Sequence, residues 1–382
     1  MASSSCGCVM AGRDDLKDLS EVHLVQAYVE NALAWKATEH IGKKNRLSDR
    51  NGKIVDELKT RGVALQVLQQ LSEHPDAEVR SQAQSGIKWL ARPRPQVPPY
   101  PPSGRWQTLW QLDNPPPRGL TRDEITERLR RALPGLCDRL LDLALPAIGL
   151  WPQRMRADIP ATASRWGGTP LAPPDWRWPT LENEPLLFVG QINCAELRGL
   201  PAAELLPSSG LLAFFGDYDA VMASLSELIA VYHWTDMASL VPAVAPVEPS
   251  MVFPSCALAM RPLLDLPHPL SRAVRELNLN KEQTSRYFDE WIAVRLHGIP
   301  DDVERHCSFS KLLGWPALLQ NDLGFFAFEF EQDPRLLLQV DHYSNGEERH
   351  DWGLAGSLYF MLPERDLRAH HYGRCKFEIQ VT

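Results

Sequence analysis

An ordered pattern occurs twice in this chain, and it constrains the fold more than any other feature. Ser164 to Asn193 reads SRWGGTPLAPPDWRWPTLENEPLLFVGQIN. Gly167-Gly168 ahead of Thr169-Pro170 calls for positive φ or a close backbone approach, while Pro173-Pro174 and Pro179 hold the next segment extended. Pro185 to Ile192 then reads as a short apolar strand interrupted by one glycine. Near the other end, Leu312 to Asp322 (LLGWPALLQND) again enters an apolar segment through Gly-x-Pro. Leu336 to Asp341 (LLLQVD) matches Leu186 to Asn193 (LLFVGQIN), each closing on a glutamine, an aliphatic residue and an Asx. A glycine-led aromatic strand follows each, Gly210 to Phe215 and Gly356 to Phe360. Three matches in one order, about 145 residues apart, predict an internal duplication. Because a one-residue slip exchanges core and solvent faces, residues 165–215 should superpose on 313–360, Gln191 on Gln339 and Phe214 or Phe215 on Phe360.

These elements carry a resemblance. Ser164-Arg165-x-Gly167-Gly168-x-Pro170, Trp178-Pro179, Gln191-Ile192-Asn193, Gly210-Leu211-Leu212, Leu313-Gly314-x-Pro316, Gln320 with Asp322, Leu336 through Asp341, Trp352-Gly353 with Gly356, and Asp366-Leu367 resemble the YwqG-like family. These are bacterial domains of unassigned biochemical function, and the likeness covers about 164–375. Trp166 stands where the family usually has phenylalanine, and Leu354 where an aspartate is common.

The rest of the chain predicts further units. Residues 1–15 read as a flexible tail, in which Cys6-x-Cys8 is only half of a zinc set. From 16 to 91 apolar residues recur at helical spacing, with Val22, Val25, Val29 and Leu33 as the inward stripe of a first helix. His74-Pro75-Asp76-Ala77-Glu78 marks the start of a later helix, and the segment resembles a small HEAT-like helical domain, also without assigned activity. Residues 92–119 form a proline-rich linker, stiffened by polyproline II. Residues 120–382 begin with a capping box at Thr121 to Glu124 and two helices broken at Pro134, followed by strands. A helix over Leu270 to Leu296 would connect the two halves. The fold class expected is α+β: a helical-repeat N-terminal domain, a proline-rich linker, and a β-rich C-terminal domain with internal duplication.

The net charge of −8 argues against a partner held through phosphates and suits a basic protein. Seven cysteines without regular spacing fit reduced thiols and a cytoplasmic setting. No signal-like or membrane-spanning run is seen, so neither membrane nor nucleic acid is expected as a partner.

Common catalytic motifs are absent: no Gly-x-x-x-x-Gly-Lys, Gly-x-Gly-x-x-Gly, His-Glu-x-x-His or Gly-x-Ser-x-Gly occurs. Cys307 with His306, His342 and Asp351 has the residue types of a thiol nucleophile with base and orienter, but neighbours on a strand point to opposite faces. His370, His371, Cys375 and His350 have the types of a metal site, yet paired histidines of this kind are more often exposed. Asp217 with Asp219, and Glu329 with Glu331, read as acidic strand edges. Neither cofactor nor metal is expected. The leading expectation is a non-catalytic protein-binding module. Its extension to an immunity protein that neutralises a toxin, with a basic toxin domain as the partner, comes only from resemblance, since both domain families recur beside secreted-toxin genes. The alternative is an enzyme or small-ligand binder with a cleft between the two β-rich halves, lined by Gln191, Asn193, Gln339 and Asp341. Arg165, Gln320 and Asp322 complete the candidate binding residues.

Overall fold

The computed structural model describes residues 15–38, 41–91, 109–181, 184–216, 229–247, 252–300, 309–320, 322–323, 334–344, 349–350 and 356–380. They divide into two compact units, one within the first 101 residues and one made mostly of residues 102–382.

The first unit consists of helices α1 (Asp15–Asp18), α2 (Glu21–Ala37), α3 (Ile41–Thr60), α4 (Ala64–Leu71) and α5 (Ala77–Ala91). Ser20 caps α2 by accepting from the His23 amide, which satisfies a donor that the first turn leaves open. Leu24, Tyr28 and Ala32 of α2 pack with Ile54, Leu58, Val67, Leu68, Val79 and Ala83 into a single core. The predicted valine stripe is therefore only partly inward: Val25 and Val29 pack partly buried against this core, while Val22 is 73% and Leu33 40% exposed. Both stripes have helical spacing, and the one holding Leu24 and Tyr28 buries more apolar surface. Asn51 ties the helices by donating to the Tyr28 carbonyl at 3.3 Å and to Gln82 Oε1 at 2.8 Å.

Residues 92–108 of the expected linker lie outside the described residues; its remainder holds a short helix, α6 (Leu109–Asp113). This helix is anchored by Trp151, whose Nε1 donates to the Gln111 and Asn114 carbonyls at 2.8 and 2.9 Å. Helices α7 (Arg122–Ala132) and α8 (Cys137–Asp142) come next. α7 opens with the expected reciprocal cap between Thr121 and Glu124.

The strands are β1 (Leu145–Gln153), β2 (Arg165–Trp166), β3 (Leu171–Ala172), β4 (Thr180–Leu181), β5 (Glu184–Pro185), β6 (Leu187–Asn193), β7 (Leu211–Gly216), β8 (Ile229–Trp234), β9 (Val241–Pro242), β10 (Cys256–Asp265), β11 (Lys311–Leu313), β12 (Pro334–Val340), β13 (Tyr343–Ser344), β14 (Arg349–His350), β15 (Ser357–Pro363) and β16 (Lys376–Gln380). Helices α9 (Arg272–Arg275) and α10 (Lys281–Arg295) sit between β10 and β11 in sequence. Among the described residues, ten strands form one antiparallel sheet in the order β16-β15-β12-β11-β1-β10-β2-β6-β7-β8. β1 and β10 pair along their whole length at its centre. β1 has β11 on its other side, and β10 has β2. Two runs in chain order, β2-β6-β7-β8 and β11-β12-β15-β16, thus extend outward from a central pair.

One face of the sheet is aromatic and closes on itself, the Phe214 and Phe360 rings meeting edge to face at 5.4 Å. The large sheet is therefore nearly barrel-like. The other face is covered in part by α7, α8 and α10, through a core that includes Ile125, Leu129, Leu140, Leu266, Tyr287 and Trp291. Tyr287 and Trp291 reach the chain below, donating to the Pro267 and Leu266 carbonyls.

Candidate functional site

Within each run the same local frame recurs. Arg165 on β2 lies opposite Gln191 on β6, and Lys311 on β11 lies opposite Gln339 on β12. Ser164 Oγ accepts from the Asn193 amide at 2.8 Å, and Ser310 Oγ accepts from the Asp341 amide at 2.9 Å. After each short strand the backbone turns left-handed for two residues, Gly167 and Gly168 at φ 53 and 71, Leu313 and Gly314 at φ 61 and 75. A Cβ on Gly167 would collide with the Phe253 and Pro254 carbonyls, so glycine is required there both by space and by φ.

Gln191 and Gln339 are fully buried and bond to backbone. Gln191 Nε2 donates to the Ala161 and Ala163 carbonyls at 2.8 and 3.0 Å, while Gln339 Oε1 accepts from the Ala317 amide at 2.9 Å. Asn193 caps a short 3-10 helix by accepting from Ala195 N at 3.0 Å. Gln320 is exposed, its amide donating to Gln380 Oε1. Asp322 accepts from the Arg272 amide and lies 3.7 Å from the Arg275 guanidinium. The seven predicted residues therefore fall in three places: Arg165, Gln191 and Asn193 in the first frame, Gln339 and Asp341 in the second, and Gln320 and Asp322 apart from both.

The electrostatics of the two frames differ. Arg165 is buried and donates to the Ala161 and Thr169 carbonyls, and burial holds it below the usual guanidinium value. Lys311 instead pairs with Asp265 at 2.6 Å, and Asp265 Oδ2 also accepts from the Trp315 amide at 2.8 Å. Burial lowers the Lys311 pKa, with Asp265 opposing it. Asp341 accepts from Phe309 N, His342 N and Ser357 Oγ, and lies 3.7 Å from Arg295. Burial alone would raise its pKa, but His342, Arg295 and the Phe309 amide outweigh that and hold it at about 2. His268, edge-on to Trp291 at 4.5 Å, is pushed down to about 4 by burial, with Arg295 and Lys311 adding to the effect. Asp265, His268 and Arg295 carry no signal in the sequence that marks them as candidates. Lys311 does carry one, since Ser310-Lys311 stands in the second run where Ser164-Arg165 stands in the first.

His306, Cys307, Asp351, Asp217, Asp219, Glu329 and Glu331 lie outside the described residues. Cys137, Cys194, Cys256 and Cys375 are buried and form no disulfide among the described residues, and burial pushes the Cys194 and Cys256 thiols up to about 12, which disfavours them as nucleophiles at neutral pH. Among the described residues no group of three or more His, Cys, Asp or Glu could hold a metal ion, His370 and His371 included. No helix among them is long and apolar enough to cross a membrane.

A second surface lies at the β8 end of the sheet. Tyr232 and Trp234 stack at 5.6 Å with planes 8° apart, Trp176 stands edge-on to both at 5.5 and 5.7 Å, and Trp178 is 5.5 Å from Trp176. All four are half-buried over Phe188 and Phe215.

No curated protein matches the chain. Residues 164–380 match a family described as a domain of unknown function, DUF1963. That match spans more than half of the 382 residues and takes in both strand runs, and the chain belongs to this family.

Proposed function

We propose that the protein is a non-catalytic binding module whose partner is another protein. The aromatic edge carries this reading: Trp176, Trp178, Tyr232 and Trp234 stand together, half-buried, at the last strand of the sheet among the described residues. Partly exposed clusters of this composition supply most of the affinity of protein interfaces, and an end strand offers backbone groups for pairing. The charge of −8 favours a basic partner through steering. The YwqG-like resemblance and the HEAT-like likeness of α2 to α5 extend the proposal to an immunity protein that neutralises a bacterial toxin by direct contact. The matching frames of the two strand runs support an origin by internal duplication. Buried cysteines that form no disulfide among the described residues support a cytoplasmic setting.

A pull-down from the native host with wild-type protein and with a Tyr232→Ala/Trp234→Ala variant tests the reading. One stoichiometric protein recovered by the wild type, and lost by the folded variant, is expected. Recovery of no protein, or equal recovery by both, overturns it.

A further inference from the structure

At the centre of the sheet, on the face covered by α10, lies a cavity of about 50 Å³, larger than one water needs by several-fold. Three cations line it from three different elements: Arg261 from β10, Arg295 from α10 and Lys311 from β11. The carboxylate among its described lining residues is Asp265, whose Oδ2 already receives Lys311 Nζ and the Trp315 amide. Arg295 is the telling group. Its guanidinium lies 4.3 Å from the centre of the Phe309 ring and 5.3 Å from that of Trp291, so it rests against two aromatic rings. Its nearest carboxylate, Asp341, is 3.7 Å away, beyond hydrogen-bond distance. Among the described residues its N–H groups make no direct hydrogen bond, 27% of the side-chain surface stays open, and Arg295 lines the cavity. Lys311 is paired with Asp265 and Arg261 donates to the Pro117 carbonyl at 2.8 Å, so the Arg295 fork is the group that an anion would complete, with the other two adding positive charge around it.

We propose that this cavity binds a small tetrahedral oxyanion of the phosphate type, either free or as the head of a small metabolite. Three cations converging from three directions suit a multiply charged, non-planar anion better than a planar monocarboxylate, whose two oxygens meet one fork. Trp151 supports the arrangement by stacking on Arg261, 5.3 Å from ring centre to guanidinium carbon. The site is distinct from the aromatic edge and goes beyond the protein-binding reading, so either can fail alone.

The test is calorimetric titration of the full chain in phosphate-free buffer at fixed ionic strength, with inorganic phosphate, glycerol 3-phosphate, acetate and chloride. Saturable binding of inorganic phosphate at least tenfold tighter than of acetate, and at least tenfold weaker in a folded Arg295→Gln protein, is expected. Preference for glycerol 3-phosphate assigns the site to a phosphorylated metabolite, and preference for inorganic phosphate to the free ion. Absence of saturable phosphate binding by the wild type overturns the proposal whatever the variants do, as does equal affinity for chloride. Unchanged affinity in Arg295→Gln overturns it too; should that variant fail to fold, Arg261→Gln is judged by the same tenfold criterion.

Discussion

Around Arg165 and around Lys311 the backbone follows one path, while the charge is handled in two ways. Each frame has a serine accepting from the strand opposite, a glutamine bonded to backbone, and a left-handed turn of two residues. The first frame neutralises nothing: Arg165 rests on carbonyl oxygens, and Asn193 fills the place of an acid. The second is a network of ions, with Lys311 on Asp265 and Asp341 beside Arg295. Turn chemistry and strand register hold a geometry in place, and the charges set on it can diverge without disturbing it. Where carboxylates and cations gathered, a cavity lined by cations also formed.

The largest expected effect breaks the one place where the frames share φ but not residue. Gly167→Leu copies Leu313 into the first frame, and its side chain would meet the Phe253 and Pro254 carbonyls. A loss of more than about 3 kcal/mol is expected, since backbone must move. Leu313→Gly, which deletes a buried side chain but relieves a positive φ, should cost less, about 2–3 kcal/mol. Urea denaturation of both variants checks the order. A milder Gly167→Leu would mean the frames are interchangeable.

Next come the cations. Lys311→Met strands Asp265 with one amide and should cost about 3–5 kcal/mol, as breaking a buried pair does. Arg165→Met leaves carbonyls short of donors and should cost about 1–3 kcal/mol. Equal losses would erase the contrast.

His268 gives the second frame a pH dependence that the first lacks. Its folded pKa of about 4 lies below its ordinary 6.5, so the unfolded chain binds the extra proton between these values, and stability falls as pH drops through that window. The expected loss is about 2–3 kcal/mol. Denaturation midpoints at pH 7 and 4.5 check it, and His268→Asn should flatten the response.

The smallest effect comes from making the second frame like the first. Asp341, held at about 2 against an ordinary 3.8, stabilises fully above pH 4 and loses that contribution as pH falls toward 2. Asp341→Asn should cost about 1–2 kcal/mol at pH 7 and progressively less below pH 4. A constant cost across that range would show that the charge contributes nothing.

Turns and apolar alternation make β6, β7, β12 and β15 legible, because glycine, proline and the closing Gln-aliphatic-Asx fix where each begins and ends. The capping residues at Thr121 and Glu124 announce α7 equally well. The two central strands are not legible. β1 carries Pro146 and Pro152, and β10 carries Pro262, residues that demote a run to an edge or a loop. Here the flanking strands β11 and β2 reach only 147–149 and 256–257, so each proline sits where one flank of its strand has no partner. The polar candidates end matched strands, and that pattern alone points to a cleft. Their burial against Ala161, Ala163 and Ala317 depends on loops whose path the strand pattern does not encode. The ionic centre stays hidden for a similar reason: Asp265, Arg295 and Lys311 are far apart in sequence and meet only once β10, α10 and β11 are in place.

The crossed placement of β1 and β10 sets a timetable for synthesis. β1 emerges early, yet its neighbours in the finished sheet are β10 and β11, and Ala147 must wait for Leu313. At roughly 5–20 residues per second, a ribosome needs on the order of ten seconds or more to deliver them. Through that interval a nine-residue apolar strand, LPAIGLWPQ, has both flanks unclaimed. The first run can pair β2, β6, β7 and β8 among themselves, but its inner edge stays open until β10 arrives to sit beside β2. Chain release should therefore stop short of a folded product for any fragment ending before β11, and the nascent strand is a natural client for a chaperone that shields extended apolar segments.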